Sequence, residues 1–292
     1  MPRSPRALAA TVMLVGALFA AEPTWSQKYG GALKLYTLDS PASMSIHEET
    51  TVFAQRPMMG VFNNLVMFDQ HVKQNSLQSI VPELVTGWSW NGDRTELTFA
   101  LRQGVKWHDG EPFTAKDVQC TWDMLTGKSS EKLRINPRKA WYRNLEEVTT
   151  NGDYEVTFHL KRPQPSFIVL LASGFSAIYP CHVSLREMRQ HPIGTGPYKF
   201  VEFRPNEVIR VTKNPDYWKR DRPYLDGVSS RHSGEAYATG PARLAPPLFV
   251  FVSALAAGPQ QRECTRGAAP AAVRVALVAR DSPDRRLHAR RY

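Results

Sequence analysis

The residues able to do chemistry at close spacing fall into four clusters. Trp107-His108-Asp109-Gly110 is the densest, and His beside Asp raises the question of an acid–base pair. Adjacent side chains in an extended segment point to opposite faces, so these two are badly placed to share a proton. Asp-Gly is turn chemistry, with glycine supplying a positive φ, and the expectation is a turn between a strand and a helix. His47-Glu48-Glu49 offers metal-ligand types, but consecutive side chains diverge here too, and a solvated loop is the simpler reading. Gly194-Thr195-Gly196-Pro197-Tyr198 lacks phosphate-loop spacing, and its proline has no N–H for an anion; it reads as a tight turn into a strand. Cys120, Cys181 and His182 lack the paired short spacings of a zinc site. There is no GxSxG elbow, P-loop or HExxH. No nucleophile is placed with a base, so the expectation is a protein without catalysis, resident metal or cofactor.

The elements that must carry these clusters alternate between strand and helix. Leu33 to Leu38 has a short strand pattern that stops at Asp39-Ser40-Pro41. Val52 to Phe68 reads as helix, with Val52, Met59 and Val66 seven apart on one face and Pro57 marking a late start or a kink. Glu96 to Arg102 and Tyr154 to Leu160 alternate cleanly, as half-buried strands do. Thr114 starts a helix with Asp117 in its first turn and Val118, Trp122 and Leu125 facing inward. Pro165 opens a short helix over 166–172, and Ser184 to Glu187 has capping-box spacing for another. The class is α/β or mixed α+β, with the clusters at element junctions.

The chain has 292 residues, 42% hydrophobic and 22% charged, which excludes a disordered chain, a collagen and a disulfide-dense mini-protein. Its formal charge of +10 invites a nucleic-acid reading. The excess is uneven, however. Residues 229–292 hold ten Arg, no Lys and four acids, whereas residues 27–228 interleave 25 Lys and Arg with 22 Asp and Glu. The body is therefore nearly neutral, and no nucleic-acid partner is expected. Arg3 and Arg6 precede an apolar run from Ala7 to Ala21, the order of a secretory signal and too short to span a bilayer comfortably. Residues 1–26 are read as that signal, with cleavage after Ala20, Ala21 or Ser26, and the protein is expected in the periplasm. In that oxidising compartment Cys120 and Cys181 either pair or remain as two thiols.

The clusters taken together carry more than each does alone. Trp90, then Thr98 to Gly110, then Pro112-Phe113-Thr114-Ala115-Lys116-Asp117-Val118 resemble the signature of family 5 solute-binding proteins of ABC importers. Pro82-Glu83-Leu84, Asp153 to Leu160, Gly194 to Tyr198, Asn214-Pro215-Asp216-Tyr217-Trp218 and Pro223 to Val228 follow in the family's order. The resemblance runs from about Gly30 to Val228.

It implies an extracytoplasmic receptor for a small solute, above all a peptide, that hands its ligand to an ABC permease without covalent chemistry. The implied fold is the N-terminal lobe of a class II periplasmic-binding-protein-like α/β protein, with a mixed sheet and an extra α/β domain, the second lobe being missing. Gly30 to about Ser45 and about Gly194 to Val228 would form the main sheet, and Thr50 to about His182 the extra domain. Glu48, Glu49, Thr50, Thr51 and Val52 stand where relatives line the cleft with backbone groups, an arrangement that tolerates many side chains. After Val228 no family motif returns. Residues 229–292 hold 14 Ala, 10 Arg, 6 Pro and 4 Gly, just over half of that stretch, the bias of a GC-rich coding region read out of frame. Three parts are thus expected: a signal over 1–26, the family body over 27–228, and an unrelated, disordered or frameshifted tail over 229–292. A basic tail acting on anionic lipid or nucleic acid is the alternative. Half a cleft would bind its ligand weakly, and the second reading is a fragment that has lost binding or only docks on the permease.

Overall fold

The computed structural model describes residues 29–232. The leader over 1–26 and the tail beyond His232 lie outside the described residues. In chain order the elements are β1 (Ala32–Thr37), α1 (Val52–Met58), β2 (Val66–Phe68), β3 (Ile80–Pro82), β4 (Val85–Trp90), β5 (Glu96–Leu101) and α2 (Ala115–Thr126). There follow β6 (Leu145–Thr150), β7 (Glu155–Leu160), α3 (Phe167–Leu171), α4 (Leu185–Gln190), β8 (Tyr198–Arg204), β9 (Val208–Lys213) and β10 (Gly227–His232). Short 3-10 turns occur at Leu77–Ser79 and Lys139–Tyr142.

Two four-stranded sheets organise these elements. The first has the order β1-β10-β9-β8, with β1 parallel to β10 and the other pairs antiparallel. It joins the first strand of the described chain to the last three, the mixed main sheet that the family resemblance implies. The second has the order β4-β5-β7-β6 and is antiparallel throughout. A two-stranded β2-β3 pair lies in the chain just ahead of it. The last motif ends at Val228, but the strand it opens continues to His232, where Tyr36 and Thr37 of β1 stand opposite Arg231 and His232.

The second sheet holds most of the core. Alternation buries Leu97, Phe99 and Leu101 on β5 and Val156, Phe158 and Leu160 on β7, on one face as a period of two requires. Helix α2 lays Val118, Trp122 and Leu125 against β6 and β7. Phe158 sits among Phe99, Trp122 and Phe167 at ring distances of 5.6, 4.8 and 5.9 Å. The start of α2 is fixed as its sequence suggests: Asp117 accepts from the Thr114 backbone N–H at 2.9 Å. Among the described residues no helix is long and apolar enough to cross a membrane.

The helix expected over 52–68 is corrected. It stops at Met58, and Val66 to Phe68 are strand. The reason is non-local. The carbonyls of Gly60 and Val61, which a continuing helix would use internally, accept from the backbone N–H groups of Tyr198 and Gly196 at 2.9 Å each. The burial of Val66 comes from β2, and its spacing from Val52 and Met59 is incidental.

Candidate functional site

The loop between β1 and α1 dips into the protein before it surfaces. Met44, Ile46, His47 and Glu48 are buried, Glu49 is half-buried, and Thr50, Thr51 and Val52 are exposed. Glu48, at 2% exposure, faces inward. Its carboxylate accepts from the Arg134 backbone N–H at 2.7 Å, from the Arg134 guanidinium at 3.0 and 3.1 Å, and from Arg189 Nη1 at 3.2 Å. Glu49 accepts from Ser43 Oγ at 3.2 Å. Of the five residues expected to line a cleft, Glu48 is thus consumed as an anchor, and only Thr50 to Val52 stand free at the surface. Thr51 occupies the N-cap position of α1 without a side-chain cap bond.

Arg138, which the sequence reading did not single out, holds this loop from beneath. Its Nη1 donates to the carbonyls of Ile46 at 3.2 Å and His47 at 3.3 Å, and its Nη2 to that of Glu49 at 2.6 Å. The guanidinium carbon lies 3.7 Å from the centre of the Phe175 ring. His47 is fully buried, edge-on to Tyr179, with its Nε2 2.8 Å from the Ala177 carbonyl. Burial lowers its pKa to about 3, so the ring is neutral at ordinary pH. The solvated-loop expectation for His47-Glu48-Glu49 is corrected accordingly: His47 and Glu48 go inside, where the Glu48 carboxylate and His47 Nε2 find partners and only His47 Nδ1 is left without one. Among the described residues no three His, Cys, Asp or Glu side chains gather as a metal site.

A second constellation explains why the sequence clusters occur together. Gly194 and Gly196 lie so close to the chain at Val61 that a β-carbon on either would fall 1.9 or 2.5 Å from its backbone. His108 Nδ1 accepts from the Gly194 N–H at 3.2 Å, and its Nε2 lies 2.9 Å from the Gly196 carbonyl, to which it donates. Burial pushes this imidazole down to about 4. Asp109 pairs with His182 at 2.8 Å, not with His108, and Gly110 takes φ 100° in the expected turn. Asn63 ties the turn from Gly194 to Tyr198 to two further motifs. It donates to Glu83 at 2.6 Å and to the Tyr217 hydroxyl at 3.3 Å, and accepts from Thr195 at 3.1 Å and Trp218 at 3.4 Å. The motifs thus lock the main sheet to the extra domain.

Asp117 extends the lock. Besides Thr114, its carboxylate accepts from Trp107 Nε1 at 3.3 Å and the Cys181 N–H at 2.8 Å. Cys181 is bonded to Cys120 across a Cα–Cα distance of 5.7 Å, which decides the choice the sequence left open. No nucleophile faces a base in either constellation. The arrangement can hold a backbone surface rigidly and present it.

Comparison with known proteins agrees with this geometry. Residues 79–242, more than half of the chain, match the family model of bacterial extracellular solute-binding proteins, family 5. The chain belongs to that family. A Brucella ovis member named an ABC transporter peptide-binding protein is 31% identical over 186 residues, which cover 61% of this chain and 33% of that one. Di/tripeptide-binding protein 2 of Pseudomonas aeruginosa is 30% identical over 169 residues, covering 51% of this chain and 32% of its own. Among solved structures, the periplasmic binding protein DppA of Helicobacter pylori, in complex with the peptide STSA, superposes with a TM-score of 0.61 at 25% identity. It matches 71% of this chain and 43% of its own. The family 5 chain described here therefore spans about a third of the length of the curated relatives it matches.

Proposed function

We propose that the chain is the extracytoplasmic substrate-binding component of an ABC importer for peptides or similar small solutes, and that it performs no catalysis. The observation that carries this reading is the loop: exposed residues Thr50 to Val52, held on a buried scaffold, in a family 5 chain whose relatives bear peptide-binding names. An extended ligand that pairs through its own backbone needs such a surface and few specific side chains. The partners in this reading are the solute and an ABC permease in the membrane, in a periplasm reached through the leader over 1–26. The body over 27–228 does this work, together with the end of β10, which pairs with β1 as far as His232.

Binding by this chain alone is weak in our reading, because enclosure and polar groups converging from both sides are what make such sites tight. The second reading is a module that docks on the permease without holding solute. Calorimetric titration of the full chain with peptides of about two to five residues tests both. Saturable binding with Kd above about 1 μM is the expected result. Tighter binding overturns the weakness, and no heat with any peptide at millimolar concentration overturns the first reading in favour of the second.

A further inference from the structure

We propose that Arg138 is the positioning residue of the candidate loop: it turns the carbonyls of Ile46, His47 and Glu49 inward and thereby aims the Thr50 amide outward. The proposal rests on the reading of that loop as ligand-lining, but its physical basis is independent of any ligand.

Arg138 is 4% exposed, and no carboxylate among the described residues pairs with it. A buried cation is costly unless dipoles replace its water, and here three carbonyls and the Phe175 face do so. The dependence is reciprocal. A planar fork with five donors fixes the directions of the groups it meets, which an ammonium does not. Because the peptide unit is planar and trans, its C=O and N–H point opposite ways. The Glu49 carbonyl faces Arg138 at 2.6 Å, so the N–H of Thr50 faces away from it. Thr50 is exposed, and its amide makes no hydrogen bond among the described residues. It is a fixed, free donor of the kind a carbonyl or carboxylate oxygen would meet.

The Glu48 clamp does not do the same work. It ties one side chain to Arg134 and Arg189 and leaves the orientation of the 49–50 peptide open. What Arg138 stabilises is the tight bend in which the Glu48 and Glu49 amides both donate to the Ser45 carbonyl, at 3.1 and 3.0 Å.

Site-resolved hydrogen exchange on the full chain tests this in Arg138→Met and Arg138→Lys variants. The expected result for Arg138→Met is exchange at least about 10-fold faster at the Glu48 and Glu49 amides, with Val156 and Phe158 in β7 within about twofold of wild type. Arg138→Lys keeps the charge without the fork, so it should still speed those two amides by about threefold or more. If Arg138→Met does not fold, Arg138→Lys carries the test. Unchanged exchange at Glu48 and Glu49, or a rise shared equally with β7, overturns the proposal and reduces Arg138 to a packing residue. Peptide titration runs alongside: wild type that binds no peptide overturns the functional reading, while the exchange result alone decides the role of Arg138.

Discussion

The two four-stranded sheets are held in different ways. The β4-β5-β7-β6 sheet buries alternate residues of β5 and β7 completely and roofs them with α2, so its stability resides in packing. In β1 of the other sheet no residue is buried, and exposure merely alternates between half and full. Tyr36 is 59% exposed, Leu38 just beyond β1 67%, and Val201 on β8 51%. That sheet buries Tyr198 on β8 and Val208, Ile209 and Val211 on β9, and is held besides by its own ladder and by polar ties to the extra domain: His108 on the Gly194 and Gly196 loop, and Asn63 on Thr195 and Trp218. One half of the molecule is a closed core. The other half is buried along its middle strands and left open along β1.

The largest test of this contrast is Phe158→Ala. Phe158 is fully buried at the centre of the aromatic group, so its removal leaves a cavity that Phe99, Trp122 and Phe167 cannot collapse into. The expected loss is about 3–5 kcal/mol in urea unfolding of the full chain. A loss below about 1 kcal/mol would mean that the extra domain does not carry the core assigned to it.

Acid should attack the polar ties next. The folded pKa of His108 lies at about 4, below the usual 6.5, because burial penalises the cation. The unfolded chain therefore takes the proton first. Stability from this group is complete above about pH 6.5 and falls as pH drops toward 4, where the folded imidazole also protonates and a second donor faces the Gly194 N–H. Between pH 7 and 4.5 the loss is roughly 2–3 kcal/mol. His108→Gln should remove that share of the acid sensitivity, leaving the sharper fall that His47, with its pKa of about 3, adds in the same direction. A variant as acid-sensitive as wild type between those pH values would show that His108 is not a tie.

How far the sequence reached follows the same division. Strands β5 and β7 and helix α2 were legible because a closed core imposes a local period, and Thr114 with Asp117 marked the helix start within four residues. The helix read over 52–68 ran too long because its end is set by Gly196 and Tyr198, far along the chain. The family motifs announced themselves as a pattern, yet their joint role in locking sheet to domain needs coordinates, since Asn63 lies in no motif and meets Glu83, Thr195 and Tyr217 only in space. Arg138 was invisible for a similar reason. A lone arginine after Pro137 has no local signature, and its partners at Ile46, His47 and Glu49 lie about ninety residues earlier. Nor does sequence tell that Glu48 turns inward, because Arg134 and Arg189 approach it from two separate segments.

The smallest expected effect sharpens the comparison most. Leu35 stands in the middle of β1, opposite Ser230, and is only half-buried, so Leu35→Ala removes little area that folding takes out of water. The expected cost is below about 1 kcal/mol, several-fold less than for Phe158→Ala, although both remove a large apolar side chain from a strand. The backbone should tell the same story. Among the described residues β1 is an edge strand with a single parallel neighbour, so its amides should exchange well before those of β7, which is paired on both sides. If Leu35→Ala instead costs as much as a core truncation, with β1 amides as slow as those of β7, then the main sheet is a second closed core and the contrast fails.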